Sequence, residues 1–368
     1  MKVMIWVAGV LAVAGLAGCG GGSSSTTIGG GSTVSPLAYV VGQTSNNVYA
    51  FQQTATGGLV PLSTATFATG SNPSAIAVNS IKTFAYVADA GSNDIKIYSL
   101  DSKTGLLAPV ISPIGTGTNP IAAIVSSGGG VLLVLNKGSS SISSFTIDAT
   151  SGGLTAVTGS PFATPANPVA MVLTEKQGFV YVLAPGAGHA TVTGYTFSPT
   201  GVLTPFPGAP FTGGVAAAGM AIDPSAGRFL YLADSTSNNI VGFSVQAATG
   251  TLTPLPGSPY AAGTTPVALA IDSTSSVLFA ANQGSNNISA FTVGSSSGAL
   301  TPVFGGPTNA GTGPAFITVD ATNQFLYVGN QGSKNISAFT VNSGGSLGAV
   351  AGSPFSIATT PAWITTTH

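Results

Sequence analysis

Phe84-Ala-Tyr-Val-Ala-Asp89, Phe229-Leu-Tyr-Leu-Ala-Asp234 and Phe325-Leu-Tyr-Val-Gly-Asn330 are three statements of one phrase. It returns as Leu37-Ala-Tyr-Val-Val-Gly42, Val131-Leu-Leu-Val-Leu-Asn136, Phe179-Val-Tyr-Val-Leu-Ala184 and Val277-Leu-Phe-Ala-Ala-Asn282, which makes seven copies. The third residues are Tyr39, Tyr86, Leu133, Tyr181, Tyr231, Phe279 and Tyr327, spaced by 47, 47, 48, 50, 48 and 48. A period this regular, and of this length, is the signature of propeller blades rather than of unrelated strands.

Working outward from the anchor, an aromatic follows 12 residues later in six copies (Phe51, Tyr98, Phe145, Phe243, Phe291, Phe339) and 14 later in the fourth, at Tyr195. Alternation such as Ile288-Ser-Ala-Phe-Thr-Val293 predicts a half-buried strand there. Between the two strands lie Asn46-Asn47, Asn93-Asp94, Asn238-Asn239, Asn286-Asn287 and Lys334-Asn335, mostly types that tolerate the left-handed backbone of a tight turn. Thr-Gly turns such as Thr249-Gly250-Thr251-Leu252 then lead into a short strand containing proline. A missing amide there costs little only on an edge, so these are outer strands. Loops of the form Gly159-Ser160-Pro161-Phe162 connect onward to strands rich in Ala and β-branched residues: Pro73 to Val78, Pro120 to Val125, Pro168 to Leu173, Val215 to Ile222, Pro266 to Ile271, Pro314 to Val319 and Pro361 to Thr366. Small residues suit crowding at a central axis, so each is the innermost strand of the blade that follows.

The first copy begins with its second strand, while Pro361 to Thr366 stands alone at the end. The numbers balance only if this last strand enters the first blade, leaving no open edge at the seam. The expected fold is therefore all-β: a seven-bladed β-propeller of four-stranded blades over residues 37–368, closed by its own C-terminal strand.

Only 5% of the 368 residues are charged while 44% are hydrophobic. Such a chain has enough apolar material to fold, and its solvated faces must be built from Ser, Thr, Asn, Gln and Gly. A net charge of -1, with eight Lys plus Arg scattered singly, offers no patch for a row of phosphates, so nucleic acid is not an expected partner. The single cysteine rules out an internal disulfide and a cysteine-based metal cluster.

That cysteine has a telling position. Met1-Lys2 gives a positive start, Val3 to Gly15 is apolar, and Leu16-Ala17-Gly18-Cys19 supplies small residues at a cleavage point. The four residues resemble the bacterial lipobox, which implies a signal peptide over residues 1–18 and acylation of Cys19. Residues 19–36 form a Gly/Ser/Thr tether with a root-mean-square reach of roughly 20 to 25 Å. The expected location is the bacterial cell envelope, lipid-anchored to a membrane; the absence of Asp after Cys19 resembles outer-membrane sorting where that membrane exists. The other reading of this segment is an ordinary cleaved secretory signal.

The Tyr-Val-Ala-Asn-like strand, the Asn-rich hairpin, Ser-Ala-Phe, Thr-Gly-x-Leu, Gly-Ser-Pro-Phe and Pro-x-Ala-Ile-Ala-Val together resemble the lactonase-type seven-bladed propellers. That family includes 6-phosphogluconolactonase-like enzymes and surface propellers with Tyr-Val-Thr-Asn repeats. The resemblance covers residues 37–367 and implies the fold, with lactone hydrolysis as one activity.

Lactone hydrolysis needs a base for water and a donor or cation for the oxyanion. The chain holds His189 and His368, one arginine (Arg228) and one glutamate (Glu175). Blade topology puts Glu175, Lys176 and Arg228 on one face and His189 on the other, so no His-Arg-Glu constellation is expected. His189 lies in Pro185-Gly-Ala-Gly-His-Ala190, a hairpin two residues longer than its siblings, and an insertion in a repeat often marks a binding loop. It is equally readable as an exposed turn residue. The second strands end in Asp89, Asn136, Asp234, Asn282 and Asn330, on the face of His189. They read either as a ring that binds a sugar or a divalent cation, or as hairpin caps. No cofactor is evident. Two functions follow: a binding or scaffold module for a glycan, peptide or protein on the His189 face, or an extracytoplasmic lactone hydrolase with His189, Asp89 and Asp234 as the residues to test.

Overall fold

The structure is a computed structural model that describes residues 36–206, 208–274 and 276–367, side chains at 64 and 65 excepted. The segment expected to be a signal peptide, Cys19, most of the expected tether and His368 lie outside the described residues.

Seven antiparallel sheets are present, each with four main strands. In blade 2 the order from the axis outward is Pro73–Val78, Phe84–Asp89, Asp94–Leu100 and Leu107–Pro109. Blade 1 runs Pro361–Thr367, Leu37–Gly42, Asn47–Gln53 and Leu59–Ala68, so the last strand of the chain does close the ring. Its register sets Tyr39 opposite Thr365 and Val41 opposite Trp363.

The second strand is buried along its whole length in six blades, and in blade 4 everywhere but at its last residue, Pro185, because neighbouring blades cover both of its faces. A sheet covered on both sides needs apolar residues at every position, which explains why the repeated phrase reads as a continuous hydrophobic run. Third strands such as Asp94–Leu100 and Asn239–Val245 mix buried with half-buried residues, while Ser141–Ile147 is buried over its first five.

The anchor tyrosines and the Thr-Gly turns turn out to be two halves of one contact. Tyr39 Oη donates to the Gly105 carbonyl (2.8 Å), Tyr86 to Gly152 (3.2 Å), Tyr181 to Gly250 (2.7 Å) and Tyr231 to Gly298 (2.6 Å). Each bond runs from one blade to the next. Tyr327 completes the circle by donating to Gly57 of blade 1 at 2.9 Å. Burial holds these phenols protonated, pushing them well above the ordinary tyrosine range. In blade 3 the anchor is Leu133, and the turn carbonyl of Gly201 is instead taken by Ser144 Oγ at 2.7 Å.

The Gly-Ser-Pro-Phe segments are not connecting loops, as the sequence suggested, but interruptions within the outer strand. Beyond the break the chain returns to the same sheet, with Phe162 opposite Ile142, Tyr260 opposite Ile240 and Phe355 opposite Ile336. The serine fills the gap in the ladder: Ser160, Ser258 and Ser353 Oγ accept the N–H of Ser144, Gly242 and Ala338, each at 2.9 Å. A broken edge with proline in it is a poor template for pairing with another chain. Two innermost strands also start later than expected, at Ala170–Thr174 and Ala217–Ile222. In blade 5 the N–H groups of Val215 and Ala216 bond the Asp234 carboxylate, so they are withdrawn from the ladder.

Candidate functional site at the upper mouth

Connections between innermost and second strands, and between third and outer strands, lie on one face, called lower here. The second-to-third hairpins and the entries to the innermost strands share the upper face.

The scarce charges of the lower face tie adjacent blades together. Glu175 accepts hydrogen bonds from the backbone and hydroxyl of Ser127, and Lys176 donates to the Ser225 carbonyl. Gln177 reaches Ala226 of the next blade at 2.9 Å, whereas Arg228 Nε lies 3.8 Å from Asp223 within its own blade. Glu175 and Arg228 are thus on the face opposite His189, as topology required.

On the upper face, hairpin asparagines fasten four of the blades to the connector leading out of them. Asn46 Oδ1 accepts from Asn72 N (2.8 Å), Asn93 from Asn119 N (2.7 Å), Asn238 from Thr265 N (2.7 Å) and Asn286 from Gly313 N (2.8 Å). Both members of the Asn93 and Asn119 pair are left-handed, with φ of 62° and 54°. Asparagine tolerates that backbone while its short amide reaches the facing N–H.

The second-strand ends are buried, and bond within their own blades or to the connector that leads into them. Asp89 accepts from Thr69 Oγ1 at 2.8 Å and Gly70 N at 2.9 Å, and is fully buried. Burial pushes its carboxyl up to about 7 against those bonds. For Asp234 burial also raises the carboxyl, but the N–H groups of Val215, Ala216 and Ser237 outweigh it and hold the group below its usual range. Asn136, Asn282 and Asn330 donate through Nδ2 to Ser143, Ser289 and Ser337, each at 2.9 Å. These five side chains stand in five different blades, and nothing brings Asp89 or Asp234 to His189. Their contacts are those of hairpin caps. Among the described residues, no three His, Cys, Asp or Glu side chains come together in a way that could hold a metal ion.

His189 is exposed. The second strand of blade 4 continues to Pro185, paired with Ala190, one rung further than the equivalent Asp89 and Asp94 pairing in blade 2. This hairpin therefore stands about 3.4 Å higher than its siblings.

The sequence reading missed the residues one place further on. Gln43, Ala90, Lys137, Ser235, Gln283 and Gln331 follow the second strands, with Pro185, the last residue of its strand, at the equivalent place in blade 4, and the six bond through backbone N–H to the connector that enters an innermost strand. Examples are Gln43 N to Thr360 O (3.0 Å) and Gln283 N to Thr265 O (2.9 Å). Two side chains show where this ring points. Gln331 Nε2 donates to the carbonyl of Pro361, the first residue of the innermost strand of the next blade, at 3.2 Å, and Ser235 Oγ donates to Ala216 O at 2.8 Å. They rim the upper mouth of the central channel. Their signal in the sequence was the glutamine at one offset in Gly42-Gln43, Asn282-Gln283 and Asn330-Gln331.

The family described as "Lactonase, 7-bladed beta-propeller" matches residues 32–173 and 162–308. The chain belongs to that family. No curated protein matches the lactonase propeller in sequence. Among solved structures, it is similar to the Pseudomonas aeruginosa periplasmic gluconolactonase, with 21% identity, a TM-score of 0.75, and 91% of this chain and 99% of that one covered. A putative 6-phosphogluconolactonase from Bacteroides uniformis shares 20% identity at a TM-score of 0.73, covering 90% of this lactonase propeller and 99% of its own chain. A second putative 6-phosphogluconolactonase, from Bacteroides fragilis, shares 19% at 0.73, covering 93% and 100%. At this identity the likeness is one of fold.

Proposed function

We propose that this lactonase-family propeller is an envelope-anchored binding module that holds a glycan at its upper mouth. The observation that carries the reading is the short arc of Gln283 and Gln331, whose half-exposed carboxamides stand at the same place beside the innermost strands in adjacent blades, while Gln43 is buried at the equivalent place of the next. A primary amide donates and accepts at once, as a sugar hydroxyl does, so such an arc suits a polyol. The raised His189 hairpin provides a wall on the same face. A lipid on Cys19 and the Gly/Ser/Thr tether keep the module beside a membrane, the outer one where present. A glycan array probed with the full chain in mild detergent tests this: binding lost in Gln331→Ala and Gln283→Ala supports it, and binding indifferent to both overturns it.

A second reading is lactone hydrolysis outside the cytoplasm, favoured by the similar fold of the Pseudomonas aeruginosa periplasmic gluconolactonase. The same mouth then receives a sugar lactone, and His189 is the available base. Turnover of a lactone panel, with and without Ca²⁺, Mg²⁺ or Zn²⁺, that disappears in His189→Ala establishes this reading over the first.

A further inference from the structure

Blade 6 departs from its siblings at the outer rim. In blades 3, 4, 5 and 7 the chain re-enters the sheet beyond the break with an aromatic residue, Phe162, Phe211, Tyr260 and Phe355, packed over the third strand. Blade 6 has Thr308 there, opposite Ile288. Its aromatic stands four residues earlier, at Phe304, in the place held by Thr158, Pro256 and Ala351 elsewhere, and it is 100% exposed. The next most exposed large apolar side chain among the described residues, Ile81 of blade 2, is at 64%.

The break itself is also open in blade 6. Gly306 occupies the place of Ser160, Ser258 and Ser353, and without their hydroxyl the outward N–H of Ala290 finds no acceptor among the described residues. Ala290 is half-exposed, whereas its equivalents Ser144, Gly242 and Ala338 are buried. One segment therefore carries both a projecting ring and, between Val303 and Thr308, a notch that lacks the side chain and the acceptor found there in other blades.

A knob and a notch this close together define their occupant. A two-fold axis beside the segment seats each copy's knob in the other's notch, which is the self-complementary contact of a symmetric dimer. Charge points the same way. Asp272 is the only charged residue between Pro266 and Gly313, and it is buried, so nothing along this rim repels a second copy or selects a charged partner. A net charge of -1 leaves no long-range repulsion to keep copies apart. Pro302 and Pro307 flank the ring on the edge strand, which disfavours ladder pairing and leaves side-chain insertion as the mode of contact.

We propose that the blade 6 rim is a self-association surface, with Phe304 of each copy entering the notch beside Ala290 and Thr308 of a second copy. The exposed Gly305-Gly306 backbone travels with the ring and brings carbonyls toward the free Ala290 N–H. A phenylalanine buries about 150–250 Å². Two of them with their flanking prolines make a contact below roughly 1,200 Å², the size of a reversible, concentration-dependent dimer.

Light scattering on the full chain in mild detergent, with protein and bound-detergent mass separated, tests this. The protein mass should rise from one protomer toward two between about 1 and about 500 μM. Phe304→Ala should raise the dissociation constant about ten-fold or more, as loss of a central aromatic anchor does. Thr308→Phe keeps the knob but fills the notch with the aromatic the other blades carry, and should weaken the dimer as strongly; unchanged thermal melts would show that both variants are folded. A parent that stays monomeric throughout overturns the proposal, and if Phe304→Ala then sheds bound detergent, the ring faces a membrane instead. Association that survives Phe304→Ala, or that falls in Phe304→Ala but is indifferent to Thr308→Phe, overturns it as well, because the ring would then not seat in this notch.

Discussion

Tyr327 Oη and the carbonyl of Gly57, 270 residues apart in sequence, meet at 2.9 Å across the closure of the ring. The same bond joins four other pairs of adjacent blades, so the seam is fastened by the device used elsewhere. Tyr327→Phe removes a buried donor and strands the Gly57 carbonyl, for an expected loss of about 1–3 kcal/mol by denaturant unfolding. Phe279 occupies the anchor position of blade 6 without a hydroxyl. Phe279→Tyr should reach the corresponding turn at Gly345 and raise the denaturation midpoint.

Asp89 makes stability depend on pH in a direction opposite to that of most aspartates. Its folded value of about 7 exceeds its ordinary 3.8, chiefly through burial. Between these values the native state binds a proton that the unfolded chain has released, so stability falls as pH rises from about 4 to about 7 and stays lower above that. Asp89→Asn, with Asp94 available five residues on as an acceptor for the new amide, should flatten this slope. Calorimetric melts should show the variant more stable than the parent at about pH 8, with the difference shrinking or reversing at about pH 5.

Gly194 exists to admit an aromatic ring. A Cβ there would lie 1.8 Å from Phe206 Cζ, and Phe206 is itself wedged edge-on against Phe179 and Tyr181, with ring centroids at 5.6 and 6.0 Å. Gly194→Ala is expected to cost about 1–3 kcal/mol through overpacking. Adding Phe206→Leu should return part of that loss, a coupling that a double-mutant cycle in urea measures directly.

Truncation before Pro361 removes a strand whose seven residues are all buried, Trp363 and Ile364 among them. The chain should then lose its cooperative thermal transition and aggregate through the bared edge of Leu37–Gly42, visible by circular dichroism and light scattering. A melt unchanged by this deletion would contradict the closure described above.

The fold was legible because the repeat states it seven times, and because Pro361-Ala-Trp-Ile-Thr-Thr366 had no partner other than Leu37–Gly42. The tyrosine of one copy and the Thr-Gly turn of the next were each visible as motifs. Their bond to each other was not, since it links residues 66 to 69 positions apart along the chain. The site was legible only to within one residue. Asp89 and its equivalents stood out by polarity, but strands covered on both faces bury every position, so no alternation of residue types marked where the chain emerges. Ala90 and Pro185 further disguised a ring whose polar members are Gln43, Lys137, Ser235, Gln283 and Gln331. The Gly-Ser-Pro-Phe segments misled because glycine and proline signal a loop, whereas the serine hydroxyl replaces a ladder bond in place.

Leu37 and Thr367 sit side by side as a paired rung, so the first and last strands of the propeller have their free ends at one spot on the lower face. The point at which the ring of strands opens is therefore arbitrary with respect to the disc. A few added residues could join these neighbours, and the circle could be reopened at the protruding Gly186-Ala187-Gly188 tip, giving the same architecture from a rearranged reading order.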